Sequence, residues 1–199
     1  MVKLVNLTVF VAKIKAKKLN TFTARDLRLL FGFSQRASEM LVFRYAKKGL
    51  IIRLKRGLYA LADYLPIDEI IANKLRTPSY ISLEYALSYY GVIPETVYEI
   101  TSVTTKSARR FKVLGKEFSF RKIKTAAFSG YLPKKINDEI FLIAEPEKAF
   151  VDLCYLRMLD GLPPMSRFTK EKINYDKAML YVSLFQNLGL SVVVKKILS

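Results

Sequence analysis

The sequence predicts an α+β protein: an N-terminal winged helix-turn-helix domain over residues 1–64, then a mixed α+β domain over residues 65–199 that ends in a helical C-terminal tail. Three observations lead there. Two short amphipathic segments, each opened by a good N-cap and closed by glycine, follow a first helical stretch. A basic segment with a central glycine then has the form of a two-stranded hairpin. Past Asp63, helical and β-rich segments alternate without internal repeats or low-complexity linkers.

In order along the chain, Leu4, Leu7, Val11 and Ile14 fall at helical spacing within the first 19 residues. Lysines are threaded between them, and the continuous apolar core and small-residue cleavage site of a secretory leader are missing, so the segment is expected to be a helix of the mature protein. Thr23 is a suitable N-cap for a helix through Leu27 and Phe31 that Gly32 would end. Ser34 caps the next helix, whose inward arc is expected to hold Ala37, Leu41, Tyr45 and Lys48. Gln35, Arg36, Glu39, Phe43 and Lys47 lie on the opposite side, and Gly49 stops the helix. Residues 50–61 predict two strands about a basic turn in which Gly57 supplies backbone freedom.

Beyond Asp63, Pro66 is expected to open a helix to about Leu75. Thr77-Pro78 breaks the pattern before a second helix from Ser82 to Tyr90. Residues 98–105 are β-rich, and residues 110–124 predict a hairpin about Gly115-Lys116. A strand over residues 139–143 runs into a helix that Pro146 starts and that carries Ala149, Val151, Leu153 and Leu156. The tail from Tyr175 to Leu198 is helical by pattern, interrupted at Gly189.

Composition narrows the function. The chain has 34 Lys and Arg against 17 Asp and Glu, a net charge of +17, which calls for a polyanionic partner such as nucleic acid or an anionic membrane surface. No apolar run approaches the roughly 20 residues that span a bilayer. Residues 1–64 hold 14 basic and 3 acidic residues, residues 65–199 hold 20 and 14, so the polyanion site is expected mainly in the first third. A single cysteine, Cys154, and the absence of histidine exclude an internal disulfide, a histidine metal site and a Ser-His or Cys-His catalytic pair; a reducing cytoplasm and no cofactor or metal are expected.

The order helix, helix, helix, basic hairpin is that of a DNA-binding module whose third helix enters the major groove while the hairpin follows the phosphates. Arg36 and Gln35 are the expected base readers, with Glu39 and Lys47 on the same side. Phe43 is placed either to touch a thymine methyl group or to serve a core or dimer contact. Arg53, Lys55 and Arg56 would hold phosphates, and Thr23 and Ser34 would offer hydroxyls and helix N-terminal amides to the same backbone. Lys106, Arg109 and Arg110 form a second basic cluster, either a solvated loop or a further anion contact. Glu145, Glu147 and Asp152 beside Lys148 raise a metal-dependent nuclease as a rival. The simpler reading is that acidic groups in a first helical turn complement the helix dipole. A winged helix that binds protein rather than DNA is a further rival, opposed by the charge of the hairpin.

Four segments taken together resemble a known family. They are residues 52–59 (Ile-Arg-Leu-Lys-Arg-Gly-Leu-Tyr), residues 80–87 with 90–95, residues 101–105, and residues 143–153 (Ile-Ala-Glu-Pro-Glu-Lys-Ala-Phe-Val-Asp-Leu). In this order they are similar to the AbiEi family of antitoxin and viral-defence transcriptional regulators. The resemblance implies a winged helix that binds double-stranded DNA at its own promoter and represses its own type IV toxin-antitoxin or phage-defence operon. It implies a C-terminal domain serving antitoxicity, with a nucleotidyltransferase-like toxin as counterpart that need not be touched directly, and no enzymatic activity. A homodimer is compatible with this reading.

Overall fold

A computed structural model describes residues 6–137 and 139–199. The described chain is α+β and divides into two compact units, one ending at Ile67 and the other beginning at Asp68.

The first unit opens with α1 (Leu7–Ala16), capped by Asn6, whose side chain accepts from the Thr8 amide at 3.1 Å. Its inward residues are Phe10 and Ile14; Leu7 is exposed, Val11 half-buried, and Leu4 lies outside the described residues. The expected stripe is therefore rotated, because Phe10 offers the largest apolar group and meets three rings, those of Phe22, Phe31 and Tyr45, at 6.0, 5.7 and 4.9 Å. Helix α2 (Ala24–Phe31) begins with a capping box: the Asp26 amide donates to Thr23 Oγ1 at 3.2 Å, and the Thr23 amide donates to Asp26 Oδ2 at 2.8 Å. Gly32, with φ of +68°, ends it in the left-handed conformation that costs glycine nothing. Helix α3 (Gln35–Lys47) follows, its Ser34 cap accepting from the Ala37 amide at 3.2 Å.

The buried face of α3 is Ser38, Leu41, Val42 and Tyr45. Ala37 is only half-buried, and Lys48, expected in the inward arc, is the exposed C-cap, since the helix ends there and the long cation returns to water. Strands β1 (Ile51–Lys55) and β2 (Leu58–Leu61) form an antiparallel hairpin with Arg53 opposite Tyr59 and Lys55 opposite Leu58, closed by the Arg56-Gly57 turn. Phe22 adds an extended bridge, its amide and carbonyl pairing with those of Tyr59 at 2.8 and 2.9 Å. Three helices and a hairpin thus share one core of Phe10, Ile14, Phe22, Leu27, Leu41 and their neighbours, an arrangement consistent with a winged helix-turn-helix.

The second unit is built on a six-stranded mixed sheet, in spatial order β5 (Arg109–Val113), β6 (Lys116–Lys122), β4 (Ile100–Thr104), β3 (Ser79–Ile81), β8 (Glu139–Ala144) and β7 (Tyr131–Ile136). The β3–β8 and β4–β6 pairs are parallel and the rest antiparallel. Helix α4 (Asp68–Leu75) packs on β3, β4 and β8, and α5 (Leu83–Tyr89) on β4 and α6 (Pro146–Leu159). Helices α7 (Tyr175–Leu184) and α8 (Leu188–Leu198) pack against α6 in turn.

The structure departs from the sequence pattern at several points. Strands β3 and β7 were not anticipated. The first has three residues, and the second carries Pro133, Lys134 and Lys135, a composition tolerated because β7 lies at the sheet edge, where a missing amide costs no ladder bond. The β5–β6 turn is Leu114-Gly115 rather than Gly115-Lys116, since Val113 pairs with Lys116 and both turn residues have positive φ, 52° and 78°. The tail breaks at residues 185–187, not at Gly189: Gln186 has φ of +46°, and Asn187 restarts the chain by accepting from the Leu190 amide at 2.9 Å. Helix α4 begins two residues past Pro66.

Candidate nucleic-acid interface

The first unit presents α3 with its buried face turned away and its opposite face in solvent. At about 100° per residue, Phe43, Arg36, Lys47 and Met40 fall within about 60° of one another, diametrically opposite the buried residues. All four are exposed, Met40 at 59% and Phe43 at 71%. Gln35 and Glu39 sit to one side of this pole and are joined by a 3.0 Å hydrogen bond from Gln35 Nε2 to Glu39 Oε1. Met40 was missed from the sequence, where it passes as an ordinary core methionine. Arg44, half-buried, flanks the other side.

In the hairpin Arg53 and Arg56 are exposed and Lys55 half-buried, so the basic turn projects from the same unit. Thr23 has its hydroxyl engaged with Asp26, accepting from the Asp26 amide and donating to its carboxylate at 2.9 Å, while Ser34 is exposed at the N-terminus of α3. Helix α2 adds exposed Arg25 and Arg28 beside Leu29 and Phe33, cations that a search for recognition-helix residues passes over. Elsewhere in the unit the lysines are partly occupied by local contacts: Lys13 lies 5.1 Å from the Phe31 ring centroid, and Lys15 pairs with Asp63 at 2.9 Å. Hydrogen bonding to Lys15 holds the Asp63 carboxyl below its ordinary range.

In the second unit Lys106, Arg109 and Arg110 do not form one face. Lys106 Nζ donates to the Thr77 carbonyl at 2.5 Å, Arg109 lies 5.2 Å from the Phe111 ring, and Arg110, on the opposite side of β5, approaches Glu99 at 3.9 Å.

The acidic group is a buried structural network. Helix α6 is enclosed by the sheet and by α5, α7 and α8, so residues 147–156 are all buried and its charges must find partners inside. Asp152 accepts from Lys148 Nζ, from Ser82 Oγ at 2.8 Å and from Tyr80 Oη at 3.1 Å. Burial pushes the Asp152 carboxyl up and the Lys148 ammonium down. Glu145 accepts from Lys177 Nζ at 2.8 Å and from Tyr181 Oη, and Glu147 from the Asn174 amide at 3.3 Å. Burial alone would raise Glu145, but the two donors hold it below its usual range. Glu145 at the N-cap and Glu147 in the first turn of α6 keep the position that the dipole reading gave them, whereas Asp152 lies beyond that turn; all three carboxylates also tie α6 to β3, the β3–α5 junction and α7. Among the described residues no group of three or more Asp, Glu, Cys or His is placed to hold a metal ion, and no helix is long and apolar enough to cross a membrane.

Comparison with curated proteins gives no match. Residues 10–62, which run from Phe10 of α1 to just past the end of the hairpin, match the model of the family described as transcriptional regulator, AbiEi antitoxin, the family that the sequence resembles.

Proposed function

We propose that this chain is a sequence-specific DNA-binding repressor acting at its own promoter, as the antitoxin of a type IV toxin-antitoxin or phage-defence operon. Its first unit engages double-stranded DNA. Its second unit serves antitoxicity toward a nucleotidyltransferase-like toxin, with no catalysis of its own and with the cytoplasm as its place of action. The observation that carries the reading is the outward pole of α3, with Arg36 and Lys47, in a unit that adds the exposed Arg53 and Arg56 of the hairpin. Such a surface offers side chains to base edges from the helix and cations to phosphates from the turn. Residues 1–64, with 14 basic and 3 acidic side chains, supply the field that draws in the polyanion. In the assignment proposed here Ser34 and the α3 amides meet a phosphate, Arg36 and Gln35 read bases, and Lys55 and Arg56 follow the backbone.

The test compares Arg36→Ala with Arg56→Ala on a promoter fragment and on random duplex. Arg36→Ala is expected to cost about 1–3 kcal/mol on the promoter and much less on random DNA. Arg56→Ala is expected to weaken both about equally and to lower the log-log salt slope by about one. Wild-type binding that ignores salt, or no binding to any promoter fragment, refutes the DNA reading. Equal losses on both duplexes for Arg36→Ala remove that residue from base recognition.

A further inference from the structure

The exposed pole of α3 is apolar at its centre. Ala37, Met40 and Phe43 floor a concavity of about 780 Å³ on the surface of the first unit, and Arg36, Arg44, Lys47 and Lys48 rim it. Among the described residues no carboxylate lines it. Phe43 at 71% exposure and Met40 at 59% leave apolar area in water that packing within the unit does not recover. The rim decides what covers them. A second copy of this face would bring four cations against four cations, whereas the partner that suits the rim is a polyanion. The polyanion must also carry apolar groups at the spacing of successive helical turns. In duplex DNA the C5 methyl of thymine is the apolar group that projects into the major groove.

We infer that Met40 and Phe43 read thymine methyl groups in the major groove, while Arg36 and Lys47 on either side of them hold the helix in register. The inference rests on the DNA-binding reading and names what that site recognises: a half-site with thymines at positions one helical turn of α3 apart, on top of whatever Arg36 reads. Phe43 follows Met40 by three positions and Lys47 follows Phe43 by four, so the four side chains form one continuous row along the groove.

The experiment uses the full-length protein and its promoter fragment prepared with thymidine or with deoxyuridine throughout, which removes only the methyl groups and leaves every hydrogen-bonding edge in place. Wild type should bind the deoxyuridine duplex more weakly, by about fourfold for each methyl contacted, the factor expected for losing one buried methyl-sized group. Met40→Ala and Phe43→Ala should each bind the thymidine duplex less tightly than wild type and show a smaller thymidine-to-deoxyuridine ratio, and the double variant should show a ratio near one. Both side chains are exposed, so melting temperatures should stay at the wild-type value. Equal wild-type affinity for the two duplexes overturns the inference, and so does a ratio that persists unchanged in the double variant, since the methyls would then be read elsewhere or felt only through DNA shape. Conversion of a dimer to a monomer by Met40→Ala or Phe43→Ala, measured without DNA, overturns it in favour of a second copy on this face. Failure of wild type to bind any thymidine fragment is a different outcome, which brings down the DNA-binding reading itself.

Discussion

Lys148→Met should destabilise the second unit strongly, although the substitution exchanges one long side chain for another in a core. Both Lys148 and Asp152 have no side-chain exposure, and Asp152 is held in addition by Tyr80 and Ser82. Removing the ammonium leaves a fully buried carboxylate with two hydroxyl donors in place of a cation. Stranding one member of a buried pair costs about 3–5 kcal/mol, because the desolvation of the survivor is no longer offset. For a unit of this size that corresponds to a fall in melting temperature on the order of 10–20 °C. The deficit should depend on pH in a definite direction. Burial already raises the Asp152 carboxyl above its ordinary value. Lys148 pulls it back down in wild type, so in the variant the carboxyl rises further, the folded state binds the proton more tightly than the wild-type folded state does, and stability relative to wild type recovers as pH falls from 7 toward 5. Thermal or guanidinium unfolding of both proteins at several pH values, with the difference taken at each, isolates this site from the other carboxylates. A deficit below about 1 kcal/mol at pH 7, or one that does not shrink on acidification, would refute the picture of a pair whose charge is compensated only within the core.

Three further outcomes are expected. Gly130 and Gly115 both have positive φ, +70° and +78°, but a Cβ at Gly130 would lie 2.5 Å from the Tyr181 ring whereas Gly115 faces open space. Gly115→Ala should thus cost about 1–2 kcal/mol from backbone strain alone and Gly130→Ala distinctly more, so equal melting temperatures for the two variants would contradict the packing of α7. Burial pushes the Cys154 thiol up to about 12, so it should resist a disulfide-exchange reagent at pH 8 in the folded protein and react at once in guanidinium; fast labelling of the native state would contradict its placement. Thr23→Ala removes the hydroxyl that accepts from the Asp26 amide and should lower the stability of the first unit by about 1–2 kcal/mol in unfolding experiments, while Arg25→Ala, on an exposed side chain, should leave it unchanged.

The sequence by itself determined the elements whose signals are local. Thr23, Ser34 and Gly32 mark the ends of α2 and α3 because caps and left-handed stops act within one turn, and the Arg56-Gly57 turn marks the hairpin for the same reason. The outward positions of Arg36, Phe43 and Lys47 followed from helical periodicity, and the family match over residues 10–62 falls on that same stretch. The tertiary structure decided what depends on partners distant in sequence. Ser79–Ile81 is a strand because β4 and β8 lie on either side of it, and β7 accepts Pro133 because no strand follows it at the edge. The rotation of α1 toward Phe10 depended on three rings gathered from three other segments. Lys148 and Asp152 illustrate the divide most directly. Their i,i+4 spacing was visible along the chain, but such a pair is usually solvated, and only the closure of the sheet and of α5, α7 and α8 around α6 removes the water and makes the pair part of the core.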